Sequence, residues 1–197
     1  MRSSHIAICS IALALPLAAL PLRAQTPAPA VAPAAAGPAP VAAPVEDPRV
    51  RFTGTFHYAG GDGQRATLTA AIERAVADRT FITRGIARDR LTNKNPVYSN
   101  VGFQFPAGMI DCAMSGRPTI HTRDDGTAGQ TTSITGDPLR VTQRLENGHI
   151  VQVLSSDEGT RRNEFVASAD GHSLTMRVTV TSGQLPAPLR YELSYRK

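Results

Sequence analysis

The chain reads as a mainly β protein: an antiparallel meander of about eight or nine strands, closed into a small barrel, with one N-terminal amphipathic helix packed against it. Three observations carry this. The C-terminal third alternates apolar and polar residues at period two. Turn dipeptides recur at strand-length spacing. Apolar residues recur at three and four residues only once, between Leu68 and Val76.

The alternation is cleanest at the end. Leu174, Met176, Val178 and Val180 face one way, and Thr175, Arg177, Thr179 and Thr181 the other. Tyr191, Leu193 and Tyr195 alternate with Glu192, Ser194 and Arg196. Asn147-Gly148, Asp157-Glu158-Gly159 and Asp170-Gly171 join strands expected over residues 139–146, 149–155, 161–168 and 172–181. A longer turn containing Pro186 and Pro188 leads into residues 189–195. Shorter runs over residues 101–105, 109–113, 118–122 and 127–134 add three or four strands. That many strands must hide their edges, and closure is the economical solution. A curved sheet packed by the helix is the alternative. No βαβ rhythm occurs, which sets aside a doubly wound nucleotide fold.

Upstream, residues 51–58 are expected to be extended, with Phe52 and Phe56 on one face and Gly54 between them. Gly60-Gly61-Asp62-Gly63 breaks that run, and Asp62 is placed to cap the helix downstream. The helix is expected over residues 65–80, burying Leu68, Ala71, Ile72, Ala75 and Val76. Gly85 ends it, and Asn93-Lys94-Asn95-Pro96 reads as a loop over a barrel end.

The 197 residues are not all domain. Arg2 precedes an apolar run over residues 6–22, interrupted by Pro16 and Pro21, with Ala24 as a small residue at a cleavage point. The expected organisation is a signal peptide over 1–24, an Ala/Pro-rich disordered linker over 25–48, and a single β-rich domain over 49–197. Residues 25–45 offer few large side chains to bury, and their prolines interrupt backbone pairing. Cys9 lies before the apolar run is complete and follows Ile8, which does not fit lipid attachment. The expected location is the periplasm or the exterior, with no integral membrane segment once the signal is removed.

Charge excludes little but excludes something. The formal charge is +5, and removal of Arg2 and Arg23 leaves +3, because every acid lies later in the chain. That does not argue for nucleic acid. One cysteine, Cys112, remains after the signal, so no disulfide forms within the chain. It reads as a buried, inert thiol. No CxxC or HxxxH spacing supports a metal site, and no cofactor is expected.

The segments Gly159-Thr160-Arg161-Arg162-Asn163-Glu164-Phe165, Ser168-Ala169-Asp170-Gly171-His172-Ser173-Leu174, and the run from Thr181-Ser182-Gly183-Gln184-Leu185-Pro186 through Leu189-Arg190-Tyr191 resemble bacterial secreted proteins with a lipocalin-like, or calycin-like, β-barrel. The resemblance is best over the last 60 or so residues. True lipocalins carry Gly-x-Trp near the first strand; this chain has no Trp, and Gly54-Thr55-Phe56 stands in the comparable place. The resemblance implies an interior that holds an apolar ligand and carries over no catalytic residue.

Three functions stand as expectations. The leading one is an exported binding protein for a small apolar or amphipathic molecule. Its candidate ligand-binding residues are Arg84, Arg88 and Arg161 for a carboxylate or phosphate head group, and Met176, Tyr191 and Leu193 for the apolar body. A cell-envelope structural or protein-interaction module is the second; it requires a filled core and an exposed apolar patch or open sheet edge. A hydrolase-type enzyme is the third, using Cys112 or a His/Asp pair such as His121 and Asp125. The non-enzymatic readings are favoured: no Gly-x-Ser-x-Gly elbow occurs, and Asp124-Asp125-Gly126 lacks the later oxygen ligands of a calcium loop. The protein partner, if one exists, is not identified by the sequence.

Overall fold

A computed structural model describes residues 47–197. The signal and nearly all of the linker expected from the sequence lie outside the described residues.

The core is a ten-stranded antiparallel sheet: β1 (Gly54–Tyr58), β2 (Asn100–Gln104), β3 (Met109–Met114), β4 (Ile120–Arg123), β5 (Gly129–Thr132), β6 (Pro138–Glu146), β7 (His149–Ser156), β8 (Gly159–Ala167), β9 (Ser173–Thr181) and β10 (Leu189–Arg196). Their order is β4-β3-β2-β1-β10-β9-β8-β7-β6-β5, so the first strand pairs with the last. The sheet curls until its two edges approach. The barrel is nearly closed, with one more strand than the upper end of the sequence expectation.

The turns obey their residues. Asn147 and Gly148 take φ of 52° and 75°, the left-handed pair that a two-residue hairpin requires, between strands paired from Arg140↔Ser155 to Glu146↔His149. Register then places alternate side chains inside. The row Leu145–Ile150–Phe165–Met176–Leu193 crosses five strands on the inner face. Phe103 from β2 meets Phe165 from β8 edge to face, with ring centroids 4.9 Å apart. These strands stand on opposite sides of the barrel, so at this level the interior is filled.

The edges β4 and β5 share no backbone ladder. Side chains bridge them instead. Gln143 on β6 donates from Nε2 to the Ile110 carbonyl (3.0 Å) and to Thr122 Oγ1 (2.9 Å). An isolated bridge also pairs Asp125 with Arg144. Gly129 allows close approach: a Cβ there lies 3.4 Å from Thr122 Cγ2.

Three helices complete the fold. α1 (Arg49–Phe52) buries Phe52 against Phe103 at one end, and Arg49 pairs with Asp124 at 2.7 Å. The expected extended run over 51–58 is thus corrected at its start, although Phe52 and Phe56 are both buried as the alternation indicated. α2 (Gly61–Val76) and α3 (Phe81–Lys94) form a helical hairpin between β1 and β2 at the other end. α2 buries Leu68, Ala71, Ile72 and Val76. Its first turn is fixed by Gln64, whose Oε1 accepts from the Ser194 N–H and whose Nε2 donates to Ser194 Oγ. Ser194 lies just beyond the two residue pairs that β1 and β10 share, so Gln64 serves a backbone donor that β1 does not reach. This tertiary contact starts the helix four residues earlier than periodicity indicates. Asp62 lies in the first turn and makes no side-chain cap bond.

The second helix corrects the expectation of one. Gly85 does not end the helical region, and Asn93 and Lys94 belong to α3 rather than to a loop. α3 buries no side chain.

Candidate functional site

The barrel end beneath the hairpin gathers the chain's polar interior. Parity on β8 explains why. Phe165, Asn163 and Arg161 point inward together, because side chains two apart share a face. Arg161 therefore enters the barrel. Its Nε donates to Asn163 Oδ1 (2.9 Å), its Nη1 to Asn95 Oδ1 (2.9 Å) and the Lys94 carbonyl (3.3 Å), and its Nη2 to the Tyr191 hydroxyl (3.1 Å). Every acceptor is neutral. Arg161 has no carboxylate partner among the described residues.

From Arg161 a directed chain of hydrogen bonds descends through the interior. Asn163 Nδ2 donates to Gln152 Oε1 (2.7 Å), Gln152 Nε2 to Gln143 Oε1 (2.9 Å), and Gln143 Nε2 to β3 and β4. The three amides are all buried. With Arg161 able only to donate, each amide turns its oxygen toward it and its nitrogen away. One cation thus orients the polar seam that crosses the barrel's gap.

Aromatic hydroxyls surround the same end. The chain has four tyrosines. Tyr98 accepts from Arg117 Nη1 at 3.3 Å, and Tyr191 donates to Asn95 Oδ1 at 3.2 Å. Tyr195 packs edge to face on Tyr58, with centroids 5.7 Å apart. Its hydroxyl is buried and has no hydrogen-bond partner, while the Arg161 charge and the other three tyrosines act on it electrostatically. Burial raises the Tyr195 phenol well above its ordinary value and raises Tyr191 as well. Both remain neutral donors at physiological pH.

Of the six residues expected to bind ligand, Arg161, Met176, Tyr191 and Leu193 lie on the inner face; Arg161 and Tyr191 are hydrogen-bonded, and Met176 and Leu193 are cross-strand partners. Arg84 and Arg88 do not join them. Arg84 donates to the Ala77 (2.6 Å) and Arg79 (3.0 Å) carbonyls, closing the end of α2, and Arg88 pairs with Glu73 across the hairpin at 2.5 Å. Sequence reasoning missed Asn95, Asn163 and Tyr195. The signal for Asn163 was its parity with Phe165.

Two clefts among the described residues lie outside the barrel. One, of about 380 Å³, is lined by Arg90, Lys94, Asp137 and Glu158. The other, of about 240 Å³, lies over Gly54, Gly102 and Ala113. In it His121 Nδ1 meets Asp111 Oδ1 at 2.8 Å. The expected pairing of His121 with Asp125 does not form; Asp125 binds the Thr127 N–H and Arg123 Nε, which hold its carboxyl well below the usual range. The His121 side chain is 61% exposed, and no serine or cysteine lines this cleft. Cys112 faces the opposite side of the strand, and burial pushes its thiol up to about 12. It is a protonated core residue.

No protein-family model and no curated protein matches the chain. Solved structures do. A secretory abundant heat soluble protein from Ramazzottius varieornatus aligns with a TM-score of 0.51 at 9% identity, over 75% of this chain and 95% of its own. That likeness is one of fold. Fatty-acid-binding protein 1 of Echinococcus granulosus aligns with a TM-score of 0.47 at 14% identity, over 75% and 98%. Zebrafish ileal bile acid-binding protein, complexed with cholic acid, gives 0.46 at 10%, over 75% and 98%.

Proposed function

We propose that the protein is an exported carrier of a small amphipathic molecule whose anionic head is received beneath the helical hairpin. The observation that carries this reading is Arg161: an inward guanidinium with only neutral acceptors, near a buried tyrosine hydroxyl without a partner. Arg161 is half-buried, and a partly desolvated guanidinium among neutral acceptors lacks a counter-charge. A carboxylate or phosphate offers Arg161 that counter-charge and Tyr195 an acceptor.

Space for the cargo comes from the hairpin. The Phe103–Phe165 contact fills the lower barrel. α3 has no fully buried side chain: Leu91 packs against the core from a half-buried position, the Lys94 carbonyl accepts from Arg161, Arg84 bonds the end of α2, and Arg88–Glu73 and Arg90 and Lys94 on Glu158 add exposed ion pairs. Exposed ion pairs are worth little each, so lifting α3 costs chiefly the Leu91 contact and these hydrogen bonds. Export rests on the N-terminal sequence, and N-terminal sequencing of the mature protein beginning at Gln25 is its test.

The ligand reading has a convenient reporter. The chain lacks Trp, and all four tyrosines lie at this end of the barrel or beside it. Titration with a long-chain alkyl carboxylate is expected to change tyrosine emission saturably, with at least tenfold weaker binding in Arg161→Gln. Equal affinity in the variant, or no saturable response, counts against the reading.

The filled barrel and an exposed apolar patch on α3 favour a second reading, an interaction module of the cell envelope that holds no cargo. A flat tyrosine titration with an intact fold is the result that selects it.

A further inference from the structure

Arg161 cannot receive an anion in two-point contact while all its present partners stay. A guanidinium carries five N–H groups. Four are engaged: Nε by Asn163 Oδ1, Nη1 by Asn95 Oδ1 and the Lys94 carbonyl, and Nη2 by the Tyr191 hydroxyl. A carboxylate takes two N–H groups from one edge of the fork. At least one of the four partners therefore has to leave.

The partners differ in what holds them. Asn163 and Tyr191 stand within continuous strand ladders, and Asn163 also donates into the buried amide chain through Gln152. Asn95 and Lys94 close α3, so their two oxygens move together. Pro96 follows, and the residue before a proline is pushed out of the helical region; Asn95 has φ −125° and ψ 58°. Its N–H still reaches the Thr92 carbonyl at 3.2 Å, while its side chain turns inward, leaving the residue 3% exposed.

In that position the Asn95 side chain does what a head group would do. Oδ1 accepts twice, from Arg161 Nη1 at 2.9 Å and from the Tyr191 hydroxyl at 3.2 Å. Nδ2 donates to the Leu91 carbonyl at 2.8 Å, which fixes the amide with its oxygen toward the guanidinium. A carboxylate oxygen bound to the same two donors sits where Oδ1 sits. The amide satisfies those donors but brings no charge, so Arg161 stays uncompensated.

We propose that Asn95 is a built-in competitor for the head-group seat, its side-chain oxygen taking the two donors that an anionic cargo needs. This rests on the carrier reading and adds the residue that regulates how tightly the cargo is held. A tethered competitor acts at high effective concentration, so it weakens every occupant of the seat, and only a ligand with a full charge has affinity to spare.

Tyrosine-emission titrations with dodecanoate test it. Asn95→Ala removes the competing oxygen and is expected to bind dodecanoate about tenfold tighter than the natural chain. In the Arg161→Gln background the same change is expected to gain less than about threefold, because the contested donor is gone. Asn95→Asp replaces the amide with a carboxylate that Arg161 holds more firmly, and is expected to bind about tenfold more weakly. Both single variants lose the Leu91 bond, so a merely structural role moves them the same way, whereas competition moves them in opposite directions. Binding by Asn95→Ala that is no tighter than natural overturns the proposal. Should that variant lose its circular dichroism, Asn95→Asp decides, and natural affinity there overturns the proposal. No saturable titration in the natural chain removes the carrier reading and the competitor with it. A saturable titration that depends on Arg161 but not on Asn95 removes the competitor alone.

Discussion

Cys112 shows how a single position departs from its chemistry in water. The side chain is fully buried on β3, where the Gln152 amide favours the thiolate and desolvation outweighs it. The folded thiol keeps its proton to about 12, whereas an ordinary thiol releases it near 9.0. Stability from this group is therefore whole below pH 9 and is lost as pH climbs toward 12, by up to about 4 kcal/mol. Burial raises Tyr191 and Tyr195 in the same direction, so they add to the alkaline loss. Denaturant melts from pH 8 to 11 are expected to lose stability more shallowly in Cys112→Ala than in the natural chain. Parallel slopes contradict the account. The burial of Cys112 was legible from its lack of a partner, and Arg161 was named from the sequence as a head-group residue, but its neutral partners were not legible. Arginine on a strand suggests solvent; only parity with Phe165 places it inside, and only the fold supplies Asn95 and Tyr191 as acceptors.

At the scale of elements, the meander was legible because period two and turn dipeptides act locally. The strand over Ser173–Thr181 differs from its sequence boundaries by one residue. The helices were harder for opposite reasons. α2 begins early because Gln64 satisfies a strand terminus 130 residues away, a contact that no local pattern contains. α3 holds a Gly, two Thr and an Asn, and its apolar residues are not buried, so burial does not fix its pattern. The β7–β8 hairpin depends on Gly159, with φ 153°, where an added Cβ falls 2.2 Å from the Thr181 carbonyl oxygen. Backbone on the adjoining strand cannot yield as a side-chain tip does. Gly159→Ala is expected to cost about 3 kcal/mol in chemical denaturation. A loss under about 0.5 kcal/mol contradicts this reading of the turn.

For the whole molecule, closure and function meet in one structure. Ten strands curl until β4 and β5 approach, and the remaining gap is crossed by an amide chain oriented from Arg161. In the proposed function, the cation that orders this seam also receives an anion beneath α3. The barrel and its five C-terminal strands could be read from the sequence; the polar seam could not, because its members come from three strands whose register is set only on folding. The central claim is that an amphipathic anion occupies this end of the barrel. Native mass spectrometry of the protein purified from its own host tests it most directly. The account predicts a non-covalent small-molecule adduct on the natural chain that is lost in Arg161→Gln. The bare polypeptide mass for the natural chain, under conditions that keep it folded, would contradict it.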